Sequence, residues 1–313
     1  MYYSKSTEKA RAKAIKQLCR KRTKKENIFY GYIFIAPVIV GMLIFTFWPL
    51  LESFYTSFTE YDNVSPHVWV GFENYSKILF QQGEMRDMFI KALGNTLVYA
   101  VVSIPVNIVC SFFLALLVNN KLRFVKVFRA LFYIPCILPM AASVLVFKEM
   151  FSYNGGLFNQ FLVLIGLPKY GFFSTAGTAM PSLIFYSMWN MGASMLIWLS
   201  AFNSVPKDLY EASGIDGAGA FGKLIHVTVP LVTGTIFYNV IMGIIGGLQI
   251  FAQAQLFNGP EESTTTVVVL LYRYGMGYNE MGVASAMSWV LALVIMFFTA
   301  MAFLSKKLWV YGE

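Results

Sequence analysis

The chain has 313 residues, 57% of them hydrophobic and only 13% charged, with a formal net charge of +8. Soluble domains run at about one quarter charged, so this composition excludes an ordinary soluble domain and points to lipid. The positive balance does not point to nucleic acid: ten of the 24 Lys and Arg residues precede Glu26, in a tail with no aromatic residue after Tyr3.

That tail, residues 1–27, reads as a basic cytoplasmic arm facing lipid headgroups, or equally as a solvated tail whose charge only sets topology. It is not a secretory signal peptide, because the apolar run after it is too long and lacks a small-residue cleavage site. Crossing the hydrocarbon core takes about 20 mostly apolar residues. Six stretches qualify: Phe29–Leu51, Asn95–Val118, Phe128–Phe147, Ala179–Ala201, Pro230–Phe251 and Val283–Leu304. The third and sixth are the clearest. Pro37 and Pro49 interrupt the first and Pro105 the second, which is tolerated where neighbouring groups satisfy the freed carbonyl. The expectation is an all-α polytopic membrane protein with six transmembrane helices, residues 28–313 forming one membrane domain.

Basic residues set the orientation. With the N-terminus inside, the inner segments carry the arm charges and Lys121, Arg123, Lys126, Arg129, Lys207, Lys223, Lys306 and Lys307. The outer segments carry Lys77, Arg86, Lys91, Lys148, Lys169 and Arg273. The positive-inside rule therefore places both termini and the segment 206–230 in the cytoplasm. Among the outer segments, Trp69, Phe72 and Tyr75 suit the membrane–water interface, and residues 155–168 read as a short interfacial helix. Asn258-Gly259-Pro260 is a turn signal ahead of a polar run from Glu261 to Thr266. Cys19, Cys110 and Cys136 show no pairing or metal spacing and read as inert thiols.

Little catalytic chemistry is available. The run Gly217–Lys223 fits the first seven positions of a phosphate-binding loop, but the eighth is Leu224 where Ser or Thr must reach Mg²⁺, and no strand precedes it. Only His67 and His226 exist, on opposite sides of the membrane, and no acid pair, nucleophile elbow or metal set appears. The spans hold no carboxylate beyond Glu52 and Glu149 at their ends, which weighs against an ion-coupled transporter. The energy source then lies on a partner.

The segment from Pro206 to Pro230 is built to receive one. Asp208 and Glu211 suit the start of a helix opened by Pro206, Gly214 and Gly217 supply a stop and a bend, and a second helix from Ala218 to His226 runs to Pro230. An interfacial loop with acid caps and no partner has the same pattern.

Here the residues resemble a family. Glu211-Ala212-Ser213, Gly217 and the exit Val227-Thr-Val229-Pro230 look like the EAA loop of permease subunits of binding-protein-dependent ABC importers. The spacing fits at every step; Ser213, Val227 and Val229 replace Ala, Ile and Leu. Val70–Tyr75, Gly156–Asn159, Asp216-Gly217-Ala218 and Asn258-Gly259-Pro260 resemble the carbohydrate-uptake branch, the first of two permeases in the maltose and glycerol-phosphate type.

The resemblance implies a multi-pass subunit of the bacterial cytoplasmic membrane that is not an enzyme. It would pair with a second permease, two ATP-binding-cassette ATPases carrying ATP and Mg, and an extracellular solute-binding protein, with no cofactor, metal or catalytic residue of its own. Glu211, Ala212, Ser213, Asp216, Gly217 and Pro230 would form the contact with an ATPase. A sugar path needs amides, hydroxyls and flat surfaces in an apolar cavity. Tyr186, Trp189, Asn190 and Ala193 recur on one helical face, and Asn239, Gly243, Gly246, Gly247, Ile250 and Gln253 on another, with Gln249 beside it. Ser103 and Asn107 are weaker candidates. The glycines equally suit close helix packing, and Asn239 an interhelical hydrogen bond. The lack of charge along this path favours a neutral glycan. A permease for another polar solute such as glycerol phosphate, or a self-contained secondary transporter, is the alternative.

Overall fold

The structure, a computed structural model, describes residues 5–119 and 124–310. Lys121 and Arg123, expected among the inner charges, lie outside the described residues, as do the side chains of Cys19 and much of the basic arm. Contacts divide the chain into residues 1–55 and 56–313.

The first unit is a helical run: α1 (Lys5–Met42), a π turn (Leu43–Phe47) and the start of α2 (Trp48–Thr56). It passes residue 27 and Pro37 without a break. From Ile28 to Leu51 none of its large apolar side chains is buried. A helix apolar all round and uncovered by protein is stable only where lipid or another chain covers it.

The second unit opens with a two-stranded antiparallel ribbon, β1 (Thr59–Glu60) and β2 (Val68–Trp69), Thr59 facing Trp69. Asp62 holds its turn by accepting the amides of Val64 (3.0 Å) and Ser65 (2.6 Å). After α3 (Glu73–Leu79) comes α4 (Glu84–Asn119), 36 residues long. Helices α5 (Val125–Ile137) and α6 (Met140–Met150) meet at 105°. Pro139 sits at that corner with extended backbone, since a proline and the residue before it resist continuing a helix. The third expected span, clear by hydropathy, is thus a broken helix. Then follow α7 (Leu157–Leu164), α8 (Ala176–Trp189) and α9 (Gly192–Ser204). Asn190 and Met191 part these last two, of 14 and 13 residues, each too short to cross a bilayer alone.

Beyond α9 lie α10 (Lys207–Ile215), α11 (Ala220–Lys223), a π turn (Leu224–Thr228), α12 (Val229–Leu231) and α13 (Thr233–Leu248). The chain bends by 64° between Leu231 and Thr233. Short α14 (Ala252–Phe257) and α15 (Val267–Tyr272) lead to α16 (Met281–Trp309). Among the described residues, three helices are long and apolar enough to cross a membrane, or up to five if each bent pair is one span. The architecture is helical and multi-pass.

Three apolar clusters hold the second unit together. One joins α3 and the start of α4 to α15 and α16, through Ile78, Phe89, Leu270 and Met287. Another gathers Tyr99, Phe147, Tyr186 and Phe257 from α4, α6, α8 and α14. The last packs the end of α4 against α9 and Val232, around a fully buried Trp198. Helix α4 enters all three.

The polar run after Asn258 is a clasp. Asn258 ends α14 in a left-handed conformation (φ 45°). The main chain beyond it is then gripped from α4: Lys91 Nζ donates to the Glu261 carbonyl (2.5 Å), and Asn95 Nδ2 to the carbonyls of Glu262 (3.0 Å) and Thr265 (2.9 Å). Arg273 closes the far side with two bonds to the Glu262 carboxylate, both 3.0 Å. That guanidinium holds the Glu262 carboxyl below its usual range, against a smaller opposing effect of burial. A depressed carboxyl stabilises the fold above its unfolded value and loses that contribution as pH falls through the folded one. Amide exchange across residues 258–266 is therefore expected to accelerate only below the ordinary glutamate value of 4.5. In Arg273→Met exchange should already be faster at neutral pH and should change little more as the carboxyl is protonated; an unchanged profile would mean the pair does not hold the segment.

Candidate functional site

A cavity of about 540 Å³ opens where α13 crosses α4. From α4 it receives Tyr99, Ser103, Ile104, Asn107 and Ser111, and from α13 Asn239, Met242, Gly243, Gly246 and Gly247. Ser194 of α9, Met140 of α6 and the corner residues Gln249–Gln253 complete it. The hydroxyls and amides lie on one face of α4 because 103, 107 and 111 are a helical turn apart. Asn107 Nδ2 donates to the Ser103 carbonyl (2.9 Å) and to Ser187 Oγ (2.8 Å). Asn239 Nδ2 donates to the Thr235 carbonyl (2.9 Å) on its own helix. None of the described residues lining the cavity is Lys, Arg, Asp, Glu or His. Polar edges in an apolar wall suit a neutral, hydroxyl-rich ligand.

The glycines of α13 have different jobs. A Cβ on Gly243 would come within 2.9 Å of Ile104 Cγ2, and one on Gly247 within 3.5 Å of the same side chain. These two let α13 lie against α4. Gly246 has nothing within 4 Å and is exposed to the cavity. Of the expected residues, Ser103, Asn107, Asn239, Gly243, Gly246, Gly247, Gln249, Ile250 and Gln253 thus line this space.

Tyr186, Trp189 and Asn190 do not line it. Tyr186 is buried in the second cluster, its hydroxyl 3.2 Å from Ser143 Oγ. Trp189 packs edge-on to Phe147, their rings 6.1 Å apart. Asn190 closes α8, and its carbonyl accepts Cys136 Sγ–H (3.3 Å). The helix break after Asn190 separates Trp189 from Ala193, so the expected continuous face of the fourth span is divided. Tyr99 and Ser194 were not singled out in the sequence. Tyr99 lies four residues from Ser103, and Ser194 is one small residue in an apolar run with no pattern to mark it.

The segment 206–230 forms a second feature. Pro206 caps α10, which presents Asp208, Glu211, Ala212 and Ile215 outward at helical spacing. Ile215 is 88% exposed. The helix ends in a Schellman turn: Ala218 N–H donates to the Ser213 carbonyl (2.9 Å) and Gly217 N–H to that of Gly214 (3.1 Å). Gly217 takes the left-handed position (φ 80°) this turn requires. Gly217 is therefore the stop, while Gly214 lies inside α10. Ser213 Oγ donates to the Tyr210 carbonyl (3.0 Å). The second expected helix, Ala218 to His226, is one turn of α-helix passing into the π turn. Pro230 offers no N–H to the turn before it, and a π turn is a common way of absorbing that loss. Among the described residues no group of three His, Cys, Asp or Glu could hold a metal ion.

Residues 107–310 match the family described as binding-protein-dependent transport system inner membrane component. The chain belongs to this family. The permease is 31% identical to the probable ABC transporter permease protein YesP of Bacillus subtilis (strain 168), over 93% of this chain and 94% of YesP. It is also 31% identical to the arabinooligosaccharides transport system permease protein AraP of the same organism, over 86% and 88% of the two chains. A solved bacterial alginate ABC transporter, in complex with an alginate pentasaccharide-bound periplasmic protein, contains a chain of the same fold. The TM-score is 0.79 at 23% identity, covering 94% of this permease and 99% of that chain.

The cavity geometry separates packing from lining. Gly243→Leu should destabilise the permease by about 1–3 kcal/mol, the usual cost of overpacking. Gly246→Leu should leave the thermal unfolding midpoint near that of the parent and abolish solute passage. Equal loss of stability in both would remove the distinction.

Proposed function

We propose that this permease is the transmembrane subunit of an ATP-driven importer in the bacterial cytoplasmic membrane, carrying a sugar or oligosaccharide inward by alternating access. The observation that carries the reading is the uncharged, amide- and hydroxyl-lined cavity between α4 and α13, in a chain whose relatives include a permease named for arabinooligosaccharides. Its path residues are Asn239, Gly243, Gly246, Gly247, Gln249 and Gln253 of the expected face, with Ser103 and Asn107 on the facing helix. The lining favours a neutral stretch of glycan on this half of the path.

In this reading the chain spans the membrane six times with both termini inside, α8 and α9 together making the fourth crossing. It pairs with a second permease, and an extracellular binding protein delivers the solute, as the complex solved for the alginate transporter suggests. Helix α10 docks into one of two ATPase subunits, which hold the ATP and Mg. Glu211 supplies the charged contact, Ala212 and Ser213 allow close approach, and Asp216, Gly217 and Pro230 fix the helix ends.

Two measurements test this. Solubilised with its expected neighbours, the permease should co-purify with an ATPase; recovery without one would defeat the importer reading. Glu211→Lys should be made and inserted at normal levels while uptake is lost, since a reversed charge at a docked contact is costly. Normal uptake by that variant would remove the docking role of Glu211.

A further inference from the structure

The route from α10 to the cavity is covalently soft. Between α10 and α13 the chain passes Gly217-Ala218-Gly219, one turn of α-helix, a π turn and the 64° bend. A glycine pair and a change of helical pitch transmit little torque along the backbone. Any motion imposed on α10 must reach α13 through side chains.

The structure holds such a connection. Tyr210 is about 100° round α10 from the exposed Glu211, half-buried, and packs against the third cluster. Its hydroxyl is 2.9 Å from Thr228 Oγ1, the last residue of the π turn and buried. Thr228 Oγ1 in turn donates to the Lys223 carbonyl (3.3 Å). Each hydroxyl has one proton, so with Thr228 spending its own on Lys223, Tyr210 is the donor to Thr228. Next in line, Thr233 Oγ1 donates to the Pro230 carbonyl (2.7 Å) across the bend. The Thr228 carbonyl in turn accepts the Val232 N–H (3.1 Å), so Thr228 ties the Tyr210 hydroxyl to the residue that precedes α13.

We propose that the Tyr210–Thr228 hydroxyl pair is a strut that makes α10 and the cavity-lining helix α13 move as one body, with the π turn locked by the same bond. Tyr210 and Thr228 are positioning residues: neither reaches the cavity. The inference rests on α10 being the docking element. Its consequence is that removing one oxygen leaves docking intact and lets α13 lag behind.

The test uses the assembled importer with spin labels on Leu209→Cys of α10 and Tyr238→Cys of α13, both exposed positions, in a background lacking the native cysteines. With the strut intact, the distance between the labels stays constant on adding ATP and vanadate. In Tyr210→Phe and in Thr228→Val, a second distance population should appear on that addition, about five-fold above the parent, the factor for one neutral hydrogen bond. Thr228→Ser should restore the parent behaviour, and the double variant should be no worse than either single. An unchanged distance in both hydroxyl-deleted variants would overturn the strut. A thiol cross-linker from Ile215→Cys to the ATPase separates the two ideas. Cross-linking with an unchanged distance overturns the strut alone, whereas no cross-linking overturns the docking reading and the strut with it.

Discussion

One face of α4 decides how the rest of the second unit assembles. Thr96, Ser103, Asn107 and Ser111 form a polar stripe on an otherwise apolar helix, and three of them reach other helices. Thr96 Oγ1 accepts the Val267 amide (3.0 Å), Asn107 reaches Ser187 Oγ, and Ser111 Oγ accepts Trp198 Nε1 (3.0 Å). Successive rungs therefore fix α15, α8 and α9 on one support. Between apolar helices in lipid there is no hydrophobic drive to associate, so small residues and bonds of this kind, about 1 kcal/mol each, set which faces meet. The Gly243–Ile104 approach adds α13 to the same support, and the cavity is the space its neighbours leave beside the stripe.

Loops in this molecule are held by single buried amides. Asn74 Nδ2 donates to the carbonyls of Ser57 and Thr59, and Asn159 joins Ser152 to both backbone groups of Tyr170. Asn95 does the same for the clasp at 262–265. A side-chain amide offers two donors and an acceptor, enough to replace the backbone partners an irregular segment lacks. These asparagines let non-helical chain sit against apolar helices without orphaned polar groups.

Much of the architecture was legible in the sequence because membrane crossing demands length and apolarity, and both are visible in a window of residues. The spans around α4 and α16 follow from that demand. The corners do not. Pro139 lies within an unbroken hydropathic run, and hydropathy is blind to a 105° turn between two apolar pieces. The break after Asn190 adjoins Gly192, where a Cβ would meet the Phe132 carbonyl oxygen, a close approach that hydropathy does not register. At the coupling segment the Schellman glycine was readable, since left-handed backbone favours one residue type. Which of Gly214 and Gly217 took that role depended on where the helix began. Tyr210 went unmarked because its pattern is that of an aromatic on the inner side of any amphipathic helix.

Gly246 leaves the lining of the cavity separable from the helix packing that builds it. Three residues earlier and one residue later on α13, Gly243 and Gly247 are fixed by their steric fit against Ile104. At 246 the chain is free to accept any helix-compatible side chain. Side chains of different size therefore fit at 246 without disturbing the contact that seats α13 on α4.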